Sequence, residues 1–175
     1  AEELLKENSF SEVTLAKIAE KANISKGTLY YYYKSKNEIL FAVTDRYLSR
    51  QWDELIQWTE NKEKDTSPHR LVNYVIERNI AYSGLRLHLF DAALLGDEEI
   101  RAKLIHRYDE FQKLISSKIA ERTDRVSADY FTWLILTVSD GIIIQNSLKN
   151  DAFDTQQFLK QSAEYIKKFE NMHKA

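Results

Sequence analysis

Apolar residues recur at helical spacing along almost the whole chain. Over residues 14–22, Leu15, Ile18, Ala19 and Ala22 fall at i, i+3, i+4 and i+7, which places them on one face of a short helix. Asn23 and Ile24 follow. Ser25 is a good N-cap for a second short helix running to about Tyr32, with Leu29 and Tyr33 on a common face. Ser35, with Glu38 three residues on, forms the capping-box pattern that opens a long helix, whose stripe of Leu40, Val43, Tyr47, Leu55 and Ile56, with Trp52, persists to about Trp58. The polar run 61–68, NKEKDTSP, is the best linker in the sequence. Beyond it the pattern predicts five more helices, broken at Ser83-Gly84, Gly96-Asp97, Thr123-Asp124 and 150–154. Residues 71–82 and 100–119 are amphipathic, whereas 130–148 is apolar on nearly every side and is expected to be largely buried. The last helix, from Asp154 or Thr155, brings Phe158, Ser162, Tyr165, Ile166 and Phe169 to one side.

Composition narrows the fold class. With one proline and four glycines in 175 residues, turns are too scarce for an all-β protein, and an all-α fold is expected. The lack of cysteine excludes a disulfide framework, a thiolate metal site and a cysteine nucleophile. Hydrophobic content of 43% beside 30% charged residues belongs to a globular chain with a real core. The most apolar stretch, 131–144, contains Asp140 and falls short of the ~20 residues that a membrane span requires. No secretory segment is visible, so a cytoplasmic location without a membrane partner is expected. Because the chain opens at Ala1 in mid-pattern, with Leu4 and Leu5, further native sequence is expected upstream.

Charge changes the picture locally. The net charge is −2, which argues against a protein that coats nucleic acid over its whole surface. Residues 14–36, TLAKIAEKANISKGTLYYYYKSK, carry five lysines against the single acid Glu20. Two short helices meeting at a tight turn, with this basic balance and clustered phenols, fit a helix-turn-helix whose second helix enters the major groove. Lys17, Lys26 and Lys36 each lie in the first turn of a predicted helix, where the positive end of the macrodipole disfavours a cation by about 0.3–1 kcal/mol. For one lysine, simple tolerance at an exposed position is the better explanation. Three together fit phosphates bound at helix N-termini. Gly27 costs up to about 1 kcal/mol against alanine, which close approach to DNA would rationalise as readily as its place near a helix start. Tyr30, Tyr31, Tyr32 and Tyr33 sweep a whole helical turn, so they cannot all be core; Tyr33 is assigned to the core with Leu29. The candidate DNA-contacting residues are Thr14, Lys17, Ser25, Lys26, Gly27, Thr28, Tyr30, Tyr31, Tyr32, Lys34 and Lys36.

The segment FSEVTLAKIAEKANISKGTLYYYYKSKNEIL resembles the DNA-binding segment of TetR-family transcriptional regulators. The match is carried by Thr14, Ile18, Ala19, Ala22, Ser25, Thr28, Leu29, Tyr30, Tyr32, Ser35, Lys36 and Ile39 and is strongest over residues 10–45. It departs at Tyr33, where the family usually has phenylalanine, which adds a hydroxyl needing a partner. The other 130 or so residues match in architecture, and Asp140-Gly141-Ile142 is similar to a feature of the family's penultimate helix. The resemblance implies a helix-turn-helix DNA-binding domain over residues 1–48 and a helical effector-binding and dimerisation domain over 49–175. It also implies a homodimer built on the last two helices, a pseudo-palindromic double-stranded operator, and a small-molecule pocket beneath the middle helices.

Catalytic constellations are lacking. His69, His88, His106 and His173 show no metal-binding HExxH spacing, and Gly27, Gly84, Gly96 and Gly141 cannot form a phosphate-cradling loop. His106 with Asp109 or Glu110 is better explained as a solvated helix face than as a metal site. An enzyme, a cofactor and a metal are therefore not expected. An apolar pocket with a few polar anchors is expected from Tyr74, Arg78, Tyr82, His88, Phe90, Trp133, Thr137 and Asp140, which favours an apolar or aromatic effector; plain core packing would explain most of these residues too. Asp140, in the most apolar helix, calls for a specific partner if buried. The leading expectation is a repressor released from its operator by such a molecule. The alternatives are a DNA-binding protein regulated by a protein partner, and an all-helical carrier or enzyme for an apolar ligand.

Overall fold

The computed structural model describes residues 1, 3–4, 12–80 and 83–172. Among the described residues there is no strand, and eight helices follow in order: α1 (Leu15–Lys21), α2 (Lys26–Tyr32), α3 (Lys36–Glu60), α4 (Pro68–Ile80), α5 (Ser83–Leu94), α6 (Glu98–Ala120), α7 (Ala128–Ser147) and α8 (Thr155–Met172). The fold class is all-α. Two helices start earlier than the pattern suggests. α4 opens at Pro68, a residue suited to the first helical position because its missing N–H would have no partner there. α5 opens at the expected break itself, Ser83.

The helices pack as two units, one comprising Ala1–Arg50 and Gly84–His106, the other Gln51–Ser83 and Arg107–Ala175. In the first, Val13, Ile18, Ala19, Leu29 and Ile39 form a small core, with Leu15 and Tyr33 packed against it. A second cluster joins Leu40 to Leu89, Ala93 and Ile100, flanked by Phe41 and Leu104. That cluster is why residues 84–106 pack with the N-terminal segment: Leu40, which burial stabilises by about 1.5–3 kcal/mol, finds its apolar partners on α5 and α6. The α5–α6 turn is fixed by Gly96 at φ 103°, with the Asp97 N–H donating to the Ala92 carbonyl at 3.0 Å. Asp97 then caps α6 by accepting from the Ile100 N–H at 3.1 Å, while its other carboxylate oxygen accepts from Asn37 Nδ2 at 3.2 Å.

In the second unit α4 packs against α7 and α8. Its core includes Leu71, Val75, Ile115, Ile119, Ile142 and Ile143. The 61–68 run is tied down at its end. Arg122, just past α6, donates to the Thr66 carbonyl at 2.7 Å, the Lys118 carbonyl at 2.7 Å and the Thr59 carbonyl at 3.2 Å, satisfying acceptors that two helix ends leave over. α7 departs from the expectation of general burial. It buries Thr132, Ile135, Leu136, Ser139, Ile142 and Ile143, yet Tyr130, Leu134, Ile144 and, at its cap, Leu148 are exposed, with Thr137 and Gly141 on the same line. The spacing 130, 134, 137, 141, 144, 148 is a heptad stripe, so the apolar surplus of the sequence lies on one open face of the chain.

Candidate nucleic-acid interface

Side-chain caps define both short helices. Thr14 accepts from the Lys17 N–H at 3.2 Å, and Ser25 accepts from the Thr28 N–H at 3.0 Å while its hydroxyl also meets that of Thr28 at 2.9 Å. Between them the chain turns through Asn23, which takes φ 54°; the Ile24 N–H donates to the Ala19 carbonyl and the Asn23 N–H to the Glu20 carbonyl, each at 3.0 Å. This is a Schellman termination with asparagine in the left-handed position, and it explains why Ala22, on the apolar stripe in sequence, is exposed at the helix end. Ser35 accepts from the Glu38 N–H at 3.1 Å, but Glu38 reaches back to the Lys34 N–H at 2.6 Å, one residue beyond the reciprocal partner of a standard capping box.

The consequence is a helix held by one residue. Leu29, at 5% exposure, is the buried member of α2, and Tyr33 packs beside it. Lys26, Gly27, Thr28, Tyr30, Tyr31 and Tyr32 face outward, Tyr31 at 83% and Tyr32 at 69% exposure, their rings edge to face at 5.2 Å. Thr14, Ser25 and Lys34 are exposed as well. Two lysines differ from the rest. Lys17 is exposed, yet its Nζ donates to the Glu12 carbonyl at 3.0 Å. Lys36 is half-buried, and that burial lowers its ammonium below the ordinary lysine value. A Cβ at Gly27 would meet nothing nearer than Ser25 Oγ at 3.6 Å, so the chain's own packing does not require glycine there.

The residues singled out for an effector lie in separate places. Tyr74 stacks on Trp58 at 4.4 Å, and its hydroxyl donates to the Glu54 carbonyl at 3.2 Å; Arg78 covers the Tyr74 ring at 4.5 Å and pairs with Glu54 at 3.2 Å. The space beside them is only about 10 Å³, roughly what one water needs. Tyr82 lies outside the described residues. His88 and Phe90 belong to the first unit, where Arg86 lies over the Phe90 ring at 5.6 Å. Although the side chain is exposed, partial desolvation holds His88 below its ordinary pKa, with nearby Asp91 opposing the shift and Lys36 adding to it. Asp140 finds its partner in Tyr108, whose hydroxyl donates to Oδ2 at 2.5 Å while its ring faces Trp133 at 6.5 Å. Trp133 is 43% exposed, and Thr137 is exposed with its hydroxyl turned back to the Trp133 carbonyl at 2.8 Å. A larger cavity, about 360 Å³, opens elsewhere in the second unit, lined by Val72, Ile119, Phe131 and Ile166 and by the exposed side chains of Arg125 and Tyr165. The pattern along the chain offers no means of finding it, since its walls read as ordinary core. Among the described residues no group of three or more histidine, aspartate or glutamate side chains is placed to hold a metal.

Fold and head together define an all-helical protein with an N-terminal helix-turn-helix. Residues 1–43 match the family model described as bacterial regulatory proteins, tetR family. The HTH-type transcriptional regulator BetI of Pseudomonas fluorescens is 23% identical over 172 residues, spanning 89% of this chain and 81% of that protein. A Saccharomonospora viridis transcriptional regulator solved in complex with choline aligns with a TM-score of 0.73 at 16% identity, over 94% of this chain and 90% of that one. The regulator FadR of Bacillus subtilis, solved with stearoyl-CoA, aligns at 0.62 with 16% identity, over 93% and 91% of the two chains. At such identities the structural likeness speaks for the fold. With the match over residues 1–43, these likenesses support a transcriptional regulator of the TetR family.

Proposed function

We propose that this regulator is a homodimeric repressor that binds a pseudo-palindromic operator through α2 and is released by a small apolar molecule held in its second unit. The observation that carries the DNA reading is the solvent-facing surface of α2, where six neighbouring residues with donors, phenols and one lysine surround a helix anchored by Leu29. Thr28, Tyr30, Tyr31 and Tyr32 supply hydroxyls to base edges and phosphates, and Gly27 lets the backbone approach. Lys26, Lys34 and Lys36, with Thr14, Lys17 and Ser25, hold the phosphates on either side. Residues 1–48 act as the DNA-binding domain and 49–175 as the effector and dimerisation domain.

The open stripe of α7, together with α8, supports two-fold pairing, since a helix with exposed leucine and isoleucine at heptad spacing buries them against a second copy. Pairing sets two α2 helices for successive major grooves, about 34–36 Å apart, and an effector that changes this separation lowers operator affinity. The small molecules named with the two structural neighbours, choline and stearoyl-CoA, favour a small effector over a protein partner. A protein acting on DNA in this way works in the cytoplasm, and no helix among the described residues is long and apolar enough to cross a membrane. The test selects an operator from a random duplex library and measures anisotropy with the wild type and Tyr32→Ala. The proposal requires a two-fold related site that the variant no longer binds. Enrichment of no sequence, or equal binding by the variant, rejects it.

A further inference from the structure

We infer that the 360 Å³ cavity of the second unit is a binding site for an amphipathic anion, an apolar chain ending in a carboxylate or phosphate. Its volume lies within the range of small-molecule pockets, unlike the space beside Tyr74 and Arg78. The floor is aliphatic, with Val72 and Ile119 buried, and Phe131 and Ile166 form walls that are partly buried. The exposed part of the lining holds Arg125, its only charged side chain among the described residues, and the ring of Tyr165, with the hydroxyl of half-buried Thr123 near Arg125 in sequence. Such a site separates its chemistry by depth. The buried aliphatic walls offer little to a charged or strongly hydrated group, the Thr123 hydroxyl already accepting from the Arg125 N–H, so a sugar or nucleotide base entering would forfeit most of its hydrogen bonds to water. A guanidinium at the rim presents paired donors that match the oxygens of a carboxylate or phosphate and repels an ammonium head. The ligand enters tail first and leaves its anion at Arg125.

The walls also give the site leverage. Phe131 belongs to α7, and Tyr165 and Ile166 to α8, the two helices of the proposed dimer face, so a chain filling the cavity acts on their spacing. This last step rests on the repressor reading above; binding itself does not.

The experiment uses three ligands with one ten-carbon chain, decanoate and decyltrimethylammonium below their micelle concentrations and decanol below its solubility limit. Calorimetry on the whole protein without DNA is expected to show one decanoate per chain, at least tenfold tighter than decanol, and decyltrimethylammonium weaker still. Arg125→Gln, on an exposed side chain, is expected to bring decanoate down to the level of decanol without changing decanol itself. Ile166→Trp, if its melting temperature is retained, is expected to abolish all binding by filling the cavity. Decanoate no tighter than decanol, or an unaltered preference in Arg125→Gln, overturns the anionic assignment. Full binding in a folded Ile166→Trp overturns the location. Operator anisotropy with saturating decanoate is the separate arm: binding without release leaves the site standing and rejects the repressor reading.

Discussion

Helices α2 and α7 both turn aromatic and apolar side chains to solvent, and the resemblance ends there. On α2 the exposed groups are phenols and a lysine beside side-chain caps, around a single buried leucine. On α7 the exposed stripe carries Tyr130, Leu134, Ile144 and Leu148, spaced by alternating threes and fours through Thr137 and Gly141, opposite a buried face. Exposure alone therefore identifies neither surface. The first has a cluster of hydrogen-bonding groups and positive charge, which suit a polyanion; the second is mainly aliphatic and carries no charge, and suits another helix.

Placing a charge on the α7 stripe is expected to have the largest effect. Ile144→Glu should weaken self-association by about 10³-fold, since a carboxylate without a partner at a buried contact costs about 3–5 kcal/mol, and sedimentation at micromolar concentration should then show monomer. An unchanged dimer would mean the stripe is not the contact. Next comes the contrast within α2. Leu29→Ala should lower unfolding free energy by about 2–5 kcal/mol, whereas Tyr32→Ala should leave it within about 0.5 kcal/mol and weaken operator binding by about 1–3 kcal/mol. Urea melts and anisotropy on both variants separate anchor from reading surface, and equal stability losses would erase the distinction.

A smaller effect is expected for Lys26→Ala, which should lower affinity for all sequences alike and reduce the slope of log K against log salt by about 1. A slope that stays constant while sequence preference changes would make Lys26 a base reader. The smallest concerns acidity. Partial desolvation holds the exposed His88 below its ordinary pKa of 6.5, so between that value and the lower folded one the unfolded chain binds more protons. Stability should therefore fall as the pH drops below about 6.5, and His88→Gln should flatten that part of the curve in pH-dependent urea melts. A curve unchanged by the substitution would show that His88 does not titrate with unfolding.

Local chemistry was legible where it was self-contained. The Ser25 cap, the Leu29 anchor, the tyrosine sweep and the start of α3 follow from residues within a few positions of one another, because caps and i, i+4 faces are set by the backbone of one helix. The Tyr74 to Asp140 set was not legible as a site, for the opposite reason. Its members share a chemical type, yet Tyr74 and Arg78 close on Trp58 and Glu54, Asp140 closes on Tyr108, and His88 lies in the other unit.

The sequence by itself determined that the chain is helical, that two short helices meet at a turn with a basic, phenolic surface, and that the segment around residues 130–148 holds more apolar surface than one helix shows by period alone. It took the three-dimensional packing to settle that residues 84–106 pack with the N-terminal unit, that Arg122 ties off the 61–68 run, and that Val72, Ile119, Phe131 and Ile166 line an open cavity. Apolar periodicity states that a face will be covered. Which helix covers it, and whether the fit leaves a space, depends on side chains far apart in sequence meeting at close-packed density, and no local pattern encodes that meeting.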